Sequence, residues 1–389
     1  MSLPPPSEKP AESPAPWNRP DFLPEAPLEG YGYLGPHGPH ACTLEELRAL
    51  ATNGPVERVF FAWRPGVGRL EPVSALPELF DDLKRWHLAQ ARGILRDKLQ
   101  WAAMVGAGIW LLGPKLGYPM SWLVMMWAAF FGVPVVDALF RLREWKKAAP
   151  ENASETAEAT RFFHWLGWRK TSKTTHVIIG ALVAVFLLSN VYGMERAIAG
   201  FAMSEQGVRA GLWWQPLTCF FLHGGLIHLA FNCMALSRLG RWVEAVAEVW
   251  WVPLVLLLST LGGSLAGYVL PPDVPSVGAS GGILGLLGFL LALAKLPERH
   301  LPTAFHRQLW QWAIYIGMLG LVAYQIVDNA GHLGGLMTGA LLGALANATA
   351  PAGPPPYRTG WVRYAGAVSA LVLAVAGGWM AWIFWQGRP

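Results

Sequence analysis

Long apolar runs separated by short polar connections dominate the chain after residue 100. Six of them form a consecutive series, and each approaches the ~20 residues that a helix needs to cross a bilayer. They lie at 174–192, 217–236, 250–269, 281–296, 309–326 and 333–347, and a seventh follows at 361–385. The pattern predicts a polytopic α-helical membrane protein with a six-helix core over 174–348 and a seventh helix within 349–389.

A shorter pair of apolar runs, 101–116 and 118–140, precedes the core. Gly113-Pro114 and Gly117-Tyr118-Pro119 interrupt the pair, and such clusters favour turns. We expect a transmembrane helical hairpin; a re-entrant pair is the alternative, because the first run is short. The stretch 81–100 is charged and amphipathic, which predicts a helix lying on the inner membrane surface, so that 81–140 forms one unit.

Basic residues predict how the helices are oriented. Eight lysines and arginines lie between 141 and 173, and the positive-inside bias therefore places this linker in the cytoplasm. The N-terminus has no basic start and apolar core of a secretory signal, so we expect it to be cytoplasmic. The series of helices then brings residues 280 and 332 into the membrane from the exoplasmic side. We expect an integral protein of the bacterial inner membrane.

The chain before the hairpin has a different composition. Residues 1–27 are rich in proline and serine and predict a disordered tail. Residues 28–80 predict a small soluble α+β domain, in which Thr43-Leu44-Glu45-Glu46 is a capping box, Gly54 ends the helix and Val59 begins a strand. The segments TLEELRALATNG, AWRPG and PVSALPEL resemble GYF-like domains. This resemblance implies a cytoplasmic adaptor that binds proline-rich partners; the alternative is a small fold whose aromatics are merely core.

Composition excludes an ordinary soluble enzyme. Hydrophobic residues make up 53% of the chain and charged residues 14%, with a mean hydropathy of +0.33. The net charge of +5 comes from basic residues beside apolar helices, which favours membrane lipid rather than nucleic acid as the counterpart. The three cysteines, Cys42, Cys219 and Cys233, lack CxxC spacing and are expected to be packing residues. We expect neither a metal nor a cofactor.

Candidate chemistry begins at Gly278-Ala279-Ser280-Gly281-Gly282, where a short loop enters an apolar helix. A serine at a helix start can present its hydroxyl near free backbone amides that stabilise negative charge. Alone this is a weak signal, because small residues also line helix–helix contacts in membranes.

A second glycine-rich motif makes the serine more informative. His332 lies within Asn329-Ala330-Gly331-His332-Leu333-Gly334-Gly335, again at a helix start, and four glycines then recur every fourth residue. These are Gly331, Gly335, Gly339 and Gly343. The serine helix has its own glycine stripe, so the two backbones can approach closely and bring Ser280 and His332 within hydrogen-bonding distance.

A third motif lies upstream, at His223-Gly224-Gly225-Leu226-Ile227-His228-Leu229-Ala230-Phe231-Asn232. His228 and Asn232 are four residues apart and share a helical face. In this order HGGLIHLAFN, GASGGILG and GHLGG resemble the motifs of rhomboid intramembrane serine proteases, over roughly 174–346. The fold that this implies is the six-helix rhomboid core.

The resemblance also implies roles for particular residues. Ser280 and His332 form the catalytic dyad, and the Ser280 amide, His228 and Asn232 form the oxyanion hole. The remaining positions are structural parts of the motifs: His223, Gly278, Gly281, Gly335 and Glu244. Asp328, four residues before His332, lies outside the motif, so a full triad is not expected.

Two departures from the family pattern affect the expected packing. Leu284 replaces an aromatic ring that many members carry four residues after the nucleophile. Gln215 replaces an arginine, which puts the family's Glu–Arg anchoring of the external loop 195–212 in doubt.

The predicted function is intramembrane hydrolysis of peptide bonds in single-span membrane-protein substrates. The alternative is a catalytically silent adaptor that binds transmembrane helices and recruits partners through the GYF-like domain. The chain has neither HExxH nor GxGD, which disfavours zinc and aspartate intramembrane proteases. A transporter is disfavoured because charged residues are absent from the interior of the core runs.

Overall fold

The computed structural model describes most of the chain. The described residues are 14–27, 29–53, 61–115, 120–150, 153–168, 173–272, 274–295, 301–325, 327–350, 353 and 355–387. The predicted helix end at Gly54, the strand start at Val59 and the turn at Gly117-Tyr118-Pro119 lie outside them.

The N-terminal part contains a small antiparallel sheet in the order β2-β1-β3-β4. Its strands are β1 (Tyr31–Gly35), β2 (Gly38–Cys42), β3 (Phe61–Trp63) and β4 (Glu71–Pro72), and helix α1 (Leu44–Asn53) packs beside them. The predicted capping box is confirmed, since the Thr43 amide donates to Glu46 Oε2 at 2.8 Å and the Glu46 amide donates to Thr43 Oγ1 at 3.1 Å. The GYF-like assignment stays a prediction.

The next helix, α2 (Pro77–Leu112), runs without a break through the predicted boundary between the amphipathic helix and the hairpin. The separation at residue 100 is therefore wrong, because no proline or glycine interrupts the pattern there. The returning arm consists of α3 (Met120–Trp127), one π-helical turn (Ala128–Gly132) and α4 (Val133–Lys147). Trp127 Nε1 donates to the Ala102 carbonyl at 2.8 Å and holds the two arms together.

The prediction of disorder for residues 1–27 is wrong for 14–27, while residues 1–13 lie outside the described part. Two short 3₁₀ helices, Pro16–Asn18 and Pro20–Phe22, place Trp17 in the core with no exposed surface. The ring centroid of Trp17 lies 4.8 Å from that of Phe162 and 5.2 Å from that of Trp165. A buried indole supplies enough apolar contact to order a proline-rich segment.

The segment 141–173 is also more structured than a linker. It contains the end of α4 and a further helix, α5 (Ala153–Trp168), whose Phe162, Trp165 and Leu166 are buried. Residues 169–172 lie outside the described part. Phe61 of the sheet contacts the ring of His164 at 4.6 Å between centroids, and burial lowers the pKa of His164. The N-terminal part of the chain up to residue 80, called the soluble part below, therefore packs on α5 through a contact between the Phe61 ring and a neutral imidazole.

The remaining helices form the core. They are α6 (Lys173–Tyr192), α7 (Met194–Phe201), α8 (Glu205–Arg209), α9 (Gln215–Thr218), α10 (Leu226–Val246), α11 (Trp251–Val269), α12 (Ser280–Leu293), α13 (Thr303–Val322), α14 (Asn329–Thr349) and α15 (Gly360–Gln386). Helices α13 and α14 begin before the predicted apolar runs, because polar residues occupy their first turns. The predicted external loop 195–212 contains α8 and all of α7 except its first residue.

Four helices among the described residues are long and apolar enough to cross a membrane: Leu123–Lys147, Lys173–Tyr192, Trp251–Val269 and Gly360–Gln386. A fifth span is possible through a bent pair, Gln215–Phe221 and Leu226–Val246, whose axes meet at 93°. Together with the largely helical architecture, these helices confirm the predicted class of a polytopic helical membrane protein. The first arm of the hairpin is not among the helices that meet this test.

The predicted continuous helix 217–236 is wrong. A 3₁₀ turn, Cys219–Phe221, follows α9, and the chain turns through Leu222, His223, Gly224 and Gly225 before α10 begins. Two consecutive glycines favour such a break. His223 therefore lies in the bend, while His228 and Asn232 lie on α10.

We expect Trp17→Ala to destabilise the full-length protein by about 3–5 kcal/mol, the usual loss when a buried tryptophan is truncated. Thermal unfolding in detergent, monitored by near-UV circular dichroism, measures the effect. Trp213→Ala is the matched control, because Trp213 is 77% exposed and its loss should leave the midpoint unchanged. Equal midpoints for the two variants would show that the Trp17 contact does not stabilise the core.

Candidate active site

Helices α12 and α14 approach each other backbone to backbone. A Cβ atom on Gly335 would overlap the carbonyl oxygen of Gly281, and one on Gly339 would overlap the carbonyl oxygen of Gly285. Gly331, Gly335, Gly339 and Gly343 are all buried on the face of α14 that forms this contact. The glycine stripe predicted for α14 is therefore confirmed, and only glycine permits this helix separation.

This close contact places a serine beside a histidine. Ser280 is the first residue of α12, and His332 lies in the first turn of α14. Ser280 Oγ and His332 Nε2 are 2.8 Å apart, which is a hydrogen-bonding distance. The first amides of α12 have no partner within the helix, so they lie next to the serine hydroxyl as free donors.

Asp328 caps α14 and does not complete a triad. Its side chain accepts a hydrogen bond from the Gly331 amide, with Oδ1 at 2.7 Å, and its carbonyl accepts from the His332 amide at 2.9 Å. No hydrogen bond joins the Asp328 carboxylate to the imidazole within the described part of the chain. Asp328 fixes the start of the helix that carries His332.

Helix α10 brings two further polar side chains to the loop before Ser280. A Cβ atom on Gly278 would lie 2.8 Å from His228 Nε2 and 3.2 Å from Asn232 Nδ2. Gly278 has φ +114°, which L side chains rarely adopt, and its amide donates to the Cys219 carbonyl at 2.9 Å. Both the backbone conformation and the contact with α10 therefore require glycine.

Asn232 is buried, and its Nδ2 atom has no hydrogen-bond partner among the described residues. A buried amide donor without a partner costs roughly 1–3 kcal/mol, so the arrangement is stable only where another requirement maintains it. The donor lies at Gly278, two residues before Ser280. An acceptor that enters beside Ser280 would satisfy it.

His223 lies behind this pair. It is fully buried, with Nδ1 3.3 Å from the Phe221 carbonyl oxygen, and its ring meets the ring of His228 edge to face at 5.1 Å between centroids. The ring of His223 therefore supports the position of His228 and does not itself reach Ser280 in any described contact.

Gln215 has a role that the sequence did not reveal. It is 1% exposed; Oε1 accepts from the Ser204 amide at 3.2 Å and from Ser204 Oγ at 3.3 Å, and Nε2 donates to the Ala199 carbonyl at 3.5 Å. Gln215 thus anchors the segment that contains α7 and α8 through neutral hydrogen bonds. A buried glutamine in a charge-poor span was the available signal.

Glu244 and Leu284 take no part in the hydrogen bond between Ser280 and His332. Glu244 accepts a hydrogen bond from Thr175 Oγ1 at 2.5 Å and so joins α10 to α6. Leu284 is buried on α12, one turn after Ser280.

Among the described residues, no group of three or more His, Cys, Asp or Glu side chains is arranged so that it could hold a metal ion. The three cysteines are unbridged, and Cys219 Sγ lies 3.7 Å from Ser264 Oγ in the interior. Their assignment as packing residues is consistent with these positions.

Comparison with known proteins agrees with the motifs. Residues 210–348 match the family described as Rhomboid domain. The chain is 36% identical over 172 residues to Rhomboid protease GluP of Bacillus subtilis (strain 168), a match that covers 42% of this chain and 33% of the relative. It is 35% identical over 130 residues to RHOMBOID-like protein 4 of Arabidopsis thaliana, covering 33% of each protein. The matched stretch spans about a third of the length of these relatives.

We expect Gly335→Ala to lower the stability of the protein by about 1–3 kcal/mol or more, because its methyl group would force α12 and α14 apart. Thermal unfolding of the purified protein in detergent measures this change. Gly180→Ala is the control, since a Cβ at Gly180 has no atom within 4 Å. An unchanged midpoint for Gly335→Ala would contradict the close contact between the two helices.

Proposed function

The chain belongs to the rhomboid family through residues 210–348, and on that basis we propose that it is an intramembrane serine endopeptidase with Ser280 as nucleophile and His332 as base. The 2.8 Å contact between Ser280 Oγ and His332 Nε2 is the observation that carries the proposal. A serine hydroxyl is a weak nucleophile until an adjacent base accepts its proton. The histidine lies at the distance that this transfer requires.

In the proposed reaction, His332 takes the hydroxyl proton as Ser280 Oγ attacks the carbonyl carbon of the scissile peptide. The tetrahedral intermediate collapses to an acyl-enzyme, and His332 returns the proton to the departing amine. Water then attacks the ester by the same route in reverse, which regenerates the serine and releases the acid. No metal is needed in this sequence of steps.

Three donors are available for the negative charge that develops on the carbonyl oxygen. We assign the Ser280 amide at the start of α12 and the side chains of His228 and Asn232 to this oxyanion hole. The unpartnered Asn232 Nδ2 supports the assignment, because an oxyanion is the acceptor that this donor lacks. Preorganised donors in a water-poor site are effective because they need no reorganisation during the reaction.

The length of α12 supports cleavage within the bilayer. The helix has 14 residues and is about 21 Å long, which is shorter than the ~30 Å hydrocarbon layer. If its C-terminal end reaches one interface, Ser280 lies below the opposite interface. We propose that the site opens to the exoplasmic side and cuts single-span membrane proteins near that end of their helix.

The soluble part offers a second function for the same chain. We propose that it faces the cytoplasm of a bacterial cell, where residues 28–80 recruit a proline-rich or other partner. A silent adaptor would use the same surface without needing both Ser280 and His332. Measuring hydrolysis therefore separates the two functions.

We expect Ser280→Ala and His332→Ala each to reduce cleavage of a generic rhomboid substrate on the order of 10⁶-fold, with the double variant no worse than either single variant, because the two residues act as one unit. A quantitative gel assay in detergent, together with fluorophosphonate labelling of Ser280, measures this. Ser369→Ala and His306→Ala are controls away from the site that should retain activity. Full turnover by Ser280→Ala would contradict the proposed protease activity and favour the adaptor function.

We expect Asn232→Ala and His228→Ala to reduce turnover about 10²–10³-fold, the usual effect of removing one oxyanion donor. The loss should be greater for His228→Ala, because its ring also fills space against Gly278 and His223. Labelling of Ser280 should fall less than turnover, since the nucleophile and base are intact. Unchanged turnover in either variant would remove that side chain from the oxyanion hole.

A further inference from the structure

A cavity of about 990 Å³ lies away from Ser280, among the soluble part, α4, α5, α10 and α13. Arg238 and Arg241 line it from the second half of α10. Arg241 is nine residues beyond Asn232, which corresponds to about 14 Å along the helix axis. The cavity and the candidate active site are therefore separate features of the core.

The cavity carries excess positive charge. Two carboxylates, Glu144 and Glu155, face five basic side chains: Arg143, Lys147, Arg238, Arg241 and Arg307. Arg307 forms an ion pair with Glu144, with Nη1 and Oε1 3.0 Å apart. The other four basic side chains form no ion pair with any described residue. The resulting excess of positive charge favours an anionic ligand.

Arg241 gives the strongest indication of a missing acceptor. Its Nε atom is buried and has no hydrogen-bond partner in the part of the chain that the structure describes. A buried guanidinium donor without an acceptor is costly, and guanidinium groups bind phosphate through paired N–H donors. Arg238, on the same helix, lies over the rings of Trp242 and Trp312 at 5.9 and 5.6 Å from their centroids, which holds its charged group in place.

Apolar side chains form much of the remaining wall, with Phe80, Phe140, Phe163, Leu166 and Trp242 among them, and four polar residues complete it: Ser74, Thr156, Gln308 and Gln311. Helix α4 ends the candidate span Leu123–Lys147, and if this helix crosses the membrane, its last turn, with Arg143 and Lys147, lies at the level of lipid headgroups. A ligand that fits this setting combines an anionic phosphate with a hydrocarbon chain. A soluble phosphate would leave the aromatic wall without a partner.

We propose that this cavity binds one anionic phospholipid. Arg238 and Arg241 hold its phosphate, Arg143 adds long-range attraction, and an acyl chain lies against Phe140 and Phe163. The site follows from charge and shape and is independent of catalysis at Ser280. Bound lipid would connect the hairpin, α5 and the core, and would therefore stabilise their mutual packing.

The test uses the full-length chain, delipidated in a neutral detergent. Native mass spectrometry and thermal unfolding are recorded with phosphatidylglycerol, with phosphatidylcholine of the same acyl chains, and with glycerol 3-phosphate. We expect one phosphatidylglycerol to be retained per chain and the unfolding midpoint to rise by several degrees. Phosphatidylcholine and glycerol 3-phosphate should each bind at least about tenfold more weakly, since each lacks either the net charge or the acyl chain.

Variants connect the binding to the cavity. Arg238→Gln/Arg241→Gln should weaken phosphatidylglycerol binding at least about tenfold. Arg92→Gln/Arg196→Gln is the control with the same change in charge, because both arginines are exposed and lie outside the cavity lining. If the cavity double variant does not fold, Ala304→Trp provides the test, since it fills the cavity without changing its charge and should also block binding.

Three results would overturn the proposal. Equal binding of phosphatidylglycerol and phosphatidylcholine would exclude a charge-selective site. Equal binding of glycerol 3-phosphate would indicate a site for soluble phosphate compounds instead. Phosphatidylglycerol binding that survives in the cavity double variant, or in Ala304→Trp, at the level of the Arg92→Gln/Arg196→Gln control would place the lipid elsewhere on the protein.

Discussion

The close approach of α12 and α14 is the constraint on which the candidate site depends. Ser280 and His332 lie on different helices, and their side chains meet because these two helices are in backbone contact. The carbonyl oxygens of Gly281 and Gly285 lie where a Cβ on Gly335 or Gly339 would be, so a larger residue at either position would separate the helices. Within a bilayer the hydrophobic effect does not drive helices together, so close packing and polar contacts have to maintain this separation. The glycine stripe of α14 therefore determines both the packing of the two helices and the contact between Ser280 and His332.

Helix α10 contributes to the candidate site through the bend that precedes it. The bend after Phe221 allows α10 to begin at Leu226 and to present His228 and Asn232 to the Gly278 backbone. Had 217–236 formed one straight helix, His223 would have shared a helical face with other residues of the motif. The bend instead places His223 against the ring of His228. A break in the helix, rather than its continuity, positions these polar groups.

The sequence predicted the parts of the site that depend on local spacing. Three features are properties of short segments: the glycine at every fourth residue of α14, the i and i+4 relation of His228 and Asn232, and the position of Ser280 and His332 in the first turns of their helices. It could not predict Trp17, because composition alone favours disorder and the partner ring of Phe162 is far along the chain. The role of Gln215 was missed for a different reason, since its hydrogen bonds to Ser204 depend on how the intervening segment folds.

Helix α5 has a consequence for how the soluble part and the core interact. Trp17 and Phe61, which belong to the N-terminal part of the chain, contact α5. Phe162 of α5 also contacts Phe305 of α13, with ring centroids 5.0 Å apart. The same helix contributes Phe163 and Leu166 to the basic cavity. A change in the soluble part therefore reaches α13 and the cavity first. The glycine contact between α12 and α14 involves none of these residues. Helix α10 connects the cavity with the candidate active site, because it carries Arg238 and Arg241 as well as His228 and Asn232.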